Sequence, residues 1–246
     1  MREPIVAGVD GSAGAWVVAI AGTVASPALH WCADMGAVLG LAGAYDVTVI
    51  GVDMPIGLPV AEPRSSDAAA RAMLGARRSS LFPTPRRAVL DAVDYPDALE
   101  RSRAASGRGL SKQAWNLVPS IRQAREAAAT VRAVGGPALI EVHPETSFAV
   151  MAGAVLAPKR MPAGIAQRVA LLARAFPDLD VVSLAADPVA LVQRPTAPKA
   201  SRPRIAGDDV TDALAAAWSA LRYAAGTARV LGEGTDPDGF PLTLVV

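Results

Sequence analysis

The stretch 5–20, IVAGVDGSAGAWVVAI, predicts a strand, a tight turn of small residues and a returning strand. Asp10 stands at the end of the first strand, although the residues around it are apolar enough to be buried. Burying a charge is costly unless a partner compensates it. The flanking Gly8 and Gly11 leave room for a metal ion or a phosphate to approach. Asp10 is therefore a candidate functional carboxylate, and the alternative is that it only caps the turn.

The composition of the 246 residues suits one large domain with an inserted segment, because 52% of them are hydrophobic. The single cysteine, Cys32, excludes an internal disulfide and a cysteine zinc cluster. A reducing, cytoplasmic compartment is therefore expected. The uncharged segment 11–33 alternates like strands and contains Gly22 and Pro27, so no membrane span is expected. The first residues also lack the basic and apolar regions of a signal peptide.

Positive charge is concentrated in the middle of the chain. Residues 64–125 contain 12 Lys and Arg against 5 Asp and Glu, whereas the rest contains 12 against 18. A basic segment on an acidic body suggests an anionic ligand held over an acidic, metal-holding centre. The alternative is a solvated basic face, which is the commoner meaning of a charge run. We assign the basic segment to a mainly helical insertion at about 60–136.

A second carboxylate ends a second apolar run. Residues 47–54, VTVIGVDM, predict a buried strand that closes on Asp53 and is followed by the rigid loop 55–59, PIGLP. The ending Ile-Gly-Val-Asp repeats the Ala-Gly-Val-Asp ending at Asp10. Two strand-end aspartates in the same local context favour a shared function over two independent turn caps.

The remaining pattern alternates strands with helices. Further strands are predicted at 28–32, 138–143, 181–184 and 241–246, and helices at 36–44, 66–76, 95–105, 111–133, 163–176 and 187–192. Pro119 is expected to kink or split the helix at 111–133. The strand at 138–143 would bring Glu141, His143 and Glu145 to one place. Residues 193–206 have the composition of a Pro-rich linker.

The last strong pattern is the helix predicted at 207–225, which begins with acidic residues. Asp212 lies three residues after Asp209 and four after Asp208, so it shares a helix face with both. One aspartate can cap the helix, but three carboxylates within five residues repel one another. A divalent cation resolves that repulsion, so the start of this helix is a candidate metal site.

The order of these features resembles the ribonuclease H-like fold. This is an α/β fold with a mixed five-stranded sheet, whose first three strands are antiparallel, and with helices on both faces. Asp10, Asp53, Asp209 and Asp212 resemble the acidic signature of that superfamily. The final helix resembles the closing helix of Holliday-junction resolvases of the RuvC type, where two aspartates three residues apart bind metal.

More closely, the whole chain resembles an uncharacterised bacterial family of predicted RNase H-like nucleases, domain of unknown function family 429. Six segments in the same order carry the resemblance: 9–12 (VDGS), 53–59 (DMPIGLP), 78–83 (RSSLFP), 109–116 (GLSKQAWN), 141–145 (EVHPE) and 208–214 (DDVTDAL). Because they run through nearly all of the chain, we expect a single domain over residues 1–246.

The resemblance implies hydrolysis of phosphodiester bonds by a two-metal-ion mechanism with Mg²⁺ or Mn²⁺. In that interpretation Asp10 bridges both ions and Asp53 completes one site. Asp209 and Asp212 complete the other, and Glu141 is a further ligand or base. The basic insertion would hold the backbone of DNA or RNA, or a nucleotide, with salt-dependent affinity. The residues expected along one side of the cleft are Arg77, Arg78, Arg86, Arg87 and Lys112. The sequence leaves open whether the protein forms a homodimer.

Two other functions fit the same pattern. Sugar kinases and actin-like ATPases also begin with a Gly-x-Asp-Gly hairpin that cradles ATP phosphates. Against them, the sequence offers strands for one such domain and no second Gly-rich hairpin. A fold that only binds nucleotides or proteins is the third interpretation, since fold does not determine function. Four Trp, three Tyr and four Phe support it, because they give little stacking surface for single strands.

Overall fold

The computed structural model describes residues 3–12, 14–22, 26–194 and 205–246. Its centre is a five-stranded sheet with strand order β3-β2-β1-β4-β5. The strands are β1 (Val6–Ser12), β2 (Ala15–Ala21), β3 (Ala28–Cys32), β4 (Val49–Val52) and β5 (Ala138–Glu141). Strands β1 to β3 are antiparallel neighbours, whereas β4 pairs in parallel with β1 and with β5. This mixed topology is that of the ribonuclease H-like fold.

Helices cover both faces of the sheet. They are α1 (Met35–Ala44), α2 (Ser65–Leu74), α3 (Tyr95–Ser106), α4 (Lys112–Asn116), α5 (Val118–Val134), α6 (Pro144–Ala152), α7 (Pro162–Ala175), α8 (Val181–Ala186) and α9 (Gly207–Ala224). Short 3₁₀ segments lie at Gly75–Ser80, Arg87–Asp91 and Pro188–Leu191. No helix in the described part of the chain is both long and apolar enough to cross a membrane.

Two apolar layers explain why the central strands are buried along their whole length. Val17 and Ala19 of β2 belong to the layer beneath α6, α7 and α9. The alternating Val18 and Ile20 belong to the opposite layer, beneath α1 and α5. A strand that is covered on both faces reads as a continuous apolar run, which is the pattern of the sequence here.

Helix α9 lies unusually close to the sheet because glycines face it. A Cβ atom on Gly8 of β1 would lie 2.1 Å from the carbonyl oxygen of Ala213, and one on Gly51 of β4 would lie 2.8 Å from that of Ala216. Only residues without a side chain allow two backbones to approach this closely. The contact fixes α9 across β1 and β4 and brings its acidic first turns to the ends of those strands.

The segment between β4 and β5 is mainly helical, as expected. It contains α2 to α5, and Pro119 lies in the first turn of α5, so the sequence at 111–133 forms two helices. Helix α5 packs against α1 and β5. The end of this segment is therefore part of one sheet layer, while the α2–α4 portion contributes the wall above the strand ends.

One sequence prediction of secondary structure was wrong, and one helix was missed. Residues 181–184 form helix α8 and not a strand, because the side chain of Asp180 caps the helix by accepting from the Ser183 amide at 3.0 Å. The adjacent β-branched valines had favoured a strand. Helix α6 was not predicted at all; it starts at Pro144, a residue that is favourable in the first turn of a helix.

The strand predicted at 241–246 is shorter than expected and is not one of the five strands of the central sheet. Strand β7 (Leu244–Val245) pairs with β6 (Val230–Leu231) in a separate two-stranded sheet. A single bridge between Val142 and Val245 connects it to the end of β5. Of the predicted linker 193–206, residues 195–204 lie outside the described part of the chain.

Candidate active site

Asp10 and Asp53 lie side by side where the neighbouring strands β1 and β4 end. Strands β1 and β4 are parallel, and the Asp53 amide donates to the Val9 carbonyl at 2.8 Å, so both strands end at the same place. The start of α9 adds its acidic residues to the same cleft, which has a volume of about 510 Å³. The lining carboxylates of the strand ends and α9 are Asp10, Asp53, Glu141, Asp208, Asp209 and Asp212.

Burial and mutual repulsion disfavour the ionised forms of these carboxylates. Asp10 is 7% exposed and Asp212 is 4% exposed. Desolvation, and then the charges of Asp53 and Asp212, raise the pKa of Asp10 well above its ordinary value. Desolvation and Asp212 raise the pKa of Asp53 to about 8, and desolvation raises the pKa of Asp212 to about 6. When these carboxylates are all ionised, the cluster therefore carries more negative charge than the neighbouring cations balance.

Lys159, between α6 and α7, is a cation that pairs directly with the carboxylates of α9. Its Nζ lies 2.9 Å from Asp208 and 2.8 Å from Asp212. Burial alone would lower the pKa of Lys159, but Asp212 and Asp208 raise it above its ordinary value. Asp209 is held differently, because it accepts from the Ser12 hydroxyl and from the Ala206 amide at 2.8 Å. Lys159 thus balances part of the acidic cluster and orients Asp212.

The carboxylate oxygens are suitable ligands for a hard divalent cation, although the side chains are not at coordination distance from one common point. In the described ranges no three His, Cys, Asp or Glu side chains are placed to hold a single ion. The expected convergence of Asp10, Asp53 and an α9 aspartate therefore occurs in the cleft but not at coordination distance. Asp212 Oδ1 is buried without a hydrogen-bond partner among the residues described. Oxygen donors of this kind are what Mg²⁺ and Mn²⁺ prefer, so the residues fit the ion in chemistry.

Glu141 lines the cleft, but its carboxylate is bound by Arg64. It was expected as a ligand or base, but both of its oxygens bind Arg64, at 2.6 and 2.7 Å, and one also accepts from the Ile56 amide at 2.9 Å. Arg64 in turn binds Asp67 at 2.6 Å. The pKa of Glu141 is raised by desolvation, against the opposing effect of Arg64. This buried network fixes the loop that follows Asp53.

His143 and Glu145 reach the cleft wall but differ in their partners. Glu145 binds the buried Arg168 through both oxygens, at 2.7 and 2.9 Å. Desolvation lowers the pKa of His143 to about 4, so the imidazole is neutral at physiological pH. Its Nδ1 atom is buried with no hydrogen-bond partner within the described residues.

The basic residues expected along the cleft separate into different places. Arg77 lines the acidic cleft, as does Arg160, which the sequence did not single out. Arg87 was expected there, but it pairs with Asp238 at 2.6 Å and with Asp91 at 3.4 Å. Arg86 lines a separate pocket. Lys112 was also expected along the acidic cleft, but its ammonium lies 5.9 Å from the centre of the Tyr95 ring. Arg78 is exposed on a 3₁₀ segment.

Sequence reasoning missed Lys159 and Arg64, the two cations nearest the carboxylates. Lys159 lies in a loop, so no helix or strand periodicity marks it, and its partners are about 50 residues away. Arg64 forms its pair with Glu141 across 77 residues. The only signal for either was a basic residue next to a proline, which also fits an exposed loop.

Taken together, the topology and the cleft define an RNase H-like α/β protein with a buried acidic centre at the ends of β1 and β4. The chain belongs to the family described as "Protein of unknown function (DUF429)", which it matches over residues 8–236. A search of curated proteins gives no match.

Two solved structures show a distant overall likeness. The Thermus thermophilus RuvC structure shares 11% identity, with 91% of this chain and 97% of that chain covered and a TM-score of 0.37. The yeast mitochondrial Holliday junction resolvase Ydc2 shares 13% identity, with 92% and 81% covered and a TM-score of 0.35. Structural similarity at these TM-scores does not define a function.

Proposed function

We propose that this protein is a nuclease that hydrolyses phosphodiester bonds of nucleic acid with Mg²⁺ or Mn²⁺ bound in the acidic cleft. The observation that carries the proposal is the convergence of the buried Asp10 and Asp212 and the half-buried Asp53, all with raised pKa values, at the ends of β1 and β4. Carboxylates with strongly raised pKa values in a cleft are typical of sites that bind a cation or perform chemistry. The residues that would hold the ions are Asp10, Asp53, Asp209 and Asp212.

The ions would supply an activated water and stabilise the leaving oxygen. The chain contributes the placement of charge around them. Lys159 keeps Asp208 and Asp212 ionised by pairing with both. The Arg64–Glu141 pair anchors the loop after Asp53, so the Asp53 carboxylate stays at the strand end.

The entrance to the cleft suits a polyanion. Arg77 and Arg160 line the same cavity as the carboxylates, and guanidinium groups bind phosphate oxygens strongly. Arg77 was expected there from the sequence, whereas Arg160 takes the place of Arg87 and Lys112, because those two side chains have partners elsewhere. The basic wall would position the strand without selecting its sequence.

A cleavage assay tests this function. Single- and double-stranded DNA and RNA oligonucleotides should be cut in the presence of Mg²⁺ or Mn²⁺ and left intact in chelator. Asp53→Asn should lower the rate at least about a hundredfold, the scale on which a group that stabilises transition-state charge acts. Asp178→Asn is the matched control, because Asp178 is an exposed aspartate and should leave the rate unchanged.

Two outcomes would contradict the proposal. One is the absence of cleavage of every oligonucleotide by folded wild-type protein with either ion. The other is turnover of ATP to ADP without cleavage, lost in Asp53→Asn, which would support the sugar-kinase and actin-like alternative.

A further inference from the structure

A second polar cavity lies within the helical insertion. Its volume is about 470 Å³, and it is enclosed by α2, the loop before the second 3₁₀ segment, the end of α3 and the start of α4. Thr84 lines both this cavity and the acidic cleft, so the two adjoin. The residues that decide its character are Arg71, Arg86, Arg108, Ser102, Ser106 and Ser111.

Arg86 is buried without a counterion. It is 8% exposed, and its Nε atom is buried with no hydrogen-bond partner among the residues that the structure describes. No hydrogen bond or ion pair joins its guanidinium to another residue in the described part of the chain. The other arginines that are buried within the described ranges are paired: Arg64 with Glu141, Arg125 with Asp236, and Arg168 with Glu145. An unpaired buried guanidinium is costly, so Arg86 stands out as a group that lacks its ligand.

The surroundings add positive charge. Arg108 lines the same cavity, and its charge acts with desolvation to lower the pKa of Arg86. Arg71 is held by the Leu81 carbonyl at 2.6 Å, a neutral partner that leaves its charge uncompensated. The carboxylate on this wall, Asp67, is already bound to Arg64 at 2.6 Å. Glu62 acts on Arg86 only at a distance.

We infer that this cavity is a binding site for a phosphate group, held between Arg86 and Arg108. A phosphate has several acceptor oxygens and matches the planar guanidinium donors. The cavity is large enough for a nucleotide and opens beside the acidic cleft at Thr84. The phosphate could therefore belong to a nucleic-acid strand that continues into the cleft, or to a free mononucleotide or inorganic phosphate. The site stands on its own geometry and does not depend on the nuclease proposal.

Calorimetric titration in chelator, which removes divalent ions from the cleft, tests the site directly. The probes are inorganic phosphate, a nucleoside monophosphate, and a short oligonucleotide with or without a 5′-phosphate. Arg108→Ala should weaken binding about tenfold or more, because it removes a charge-assisted contact. Arg108 is exposed, so this variant keeps the fold. Arg86→Met should abolish binding, and circular dichroism establishes that it is folded.

Arg229→Ala is the control for net charge, since Arg229 is exposed and does not line this cavity. Its affinity should stay within about twofold of wild type, because loss of one distant charge changes only the screened long-range attraction. Tighter binding of the oligonucleotide than of phosphate assigns the site to a strand. Equal binding of phosphate and the mononucleotide assigns it to a free ligand. Lack of saturable binding of every probe, or equal weakening in Arg108→Ala and Arg229→Ala, would overturn the inference.

Discussion

At the scale of single residues, the site is governed by how many carboxylates one cleft can hold ionised. Asp10, Asp53 and Asp212 repel one another; Lys159 pairs directly with Asp208 and Asp212 of α9 and acts on Asp10 and Asp53 only through its longer-range charge. Asp53 has no cation of its own within hydrogen-bond distance among the described residues. In a cleft without a metal ion, ionised Asp53 therefore lacks a directly bonded counterion.

This imbalance predicts the pH dependence of stability in chelator. The folded state raises the pKa of Asp53 from 3.8 to about 8, so it binds this proton more tightly than the unfolded chain. The stability of the folded protein should therefore fall as pH rises between those two values. Asp53→Asn should remove the contribution of Asp53 to this fall and leave those of Asp10 and Asp212. Each tenfold difference in proton affinity corresponds to roughly 1.4 kcal/mol of stability. Urea unfolding of both proteins at pH 5 and pH 8 measures the difference.

The stability difference between Asp53→Asn and wild type should have a definite sign at each pH. Relative to wild type, Asp53→Asn should gain stability at pH 8, and the gain should shrink towards pH 5. A variant that is equally destabilised at both pH values would show that Asp53 serves the fold through its own contacts and that its charge is not under stress.

At the scale of elements, the site depends on the close approach of α9 to the sheet. Gly8 and Gly51 present bare backbone to the alanines of α9, and this contact places Asp209 and Asp212 above Asp10. The strand ends were predictable from sequence because they repeat the Gly-Val-Asp pattern, and the helix start was predictable because its aspartates are three and four residues apart. The closeness of the contact was not, since a glycine in a strand is equally consistent with a bulge or a turn.

A pair of identical substitutions tests the contact. Gly8→Ala places a Cβ 2.1 Å from the backbone of α9 and should cost about 3 kcal/mol or more, at the upper end of overpacking effects. Gly40→Ala, in the exposed middle of α1 with no atom within 4 Å, should instead stabilise the protein by about 0.5–1 kcal/mol. Denaturant unfolding measures both, and similar effects of the two would refute the close-contact account.

Long-range ion pairs mark the limit of what could be predicted from sequence. The Arg64–Glu141 pair joins residues 77 positions apart, and Arg87 pairs with Asp238 across 151. Sequence spacing carries no signal for such pairs, because neither lies on one helix face or at one strand end. For this reason Glu141 was expected as a ligand and Arg87 as a cleft residue, although both are engaged in pairs.

At the scale of the whole molecule, charge is arranged in two neighbouring cavities of opposite sign. The basic excess of 64–125 suggested one cationic surface over an acidic centre. Part of that charge lies in internal pairs, such as Arg64 with Glu141 and Arg125 with Asp236. The unpaired remainder includes Arg86, in the cavity next to the cleft. A count of charges along the chain predicts the sign of this surface but not its position, which depends on pairing between distant elements.

The measurement that tests the central claim most directly is calorimetric titration of the wild-type protein with Mn²⁺. If the acidic cleft is a divalent-cation site, binding should be saturable and should be lost in Asp10→Asn. It should be retained in Asp178→Asn, which removes an exposed aspartate outside the cleft. Absence of saturable binding in the folded wild type, or unchanged binding in Asp10→Asn, would contradict the account.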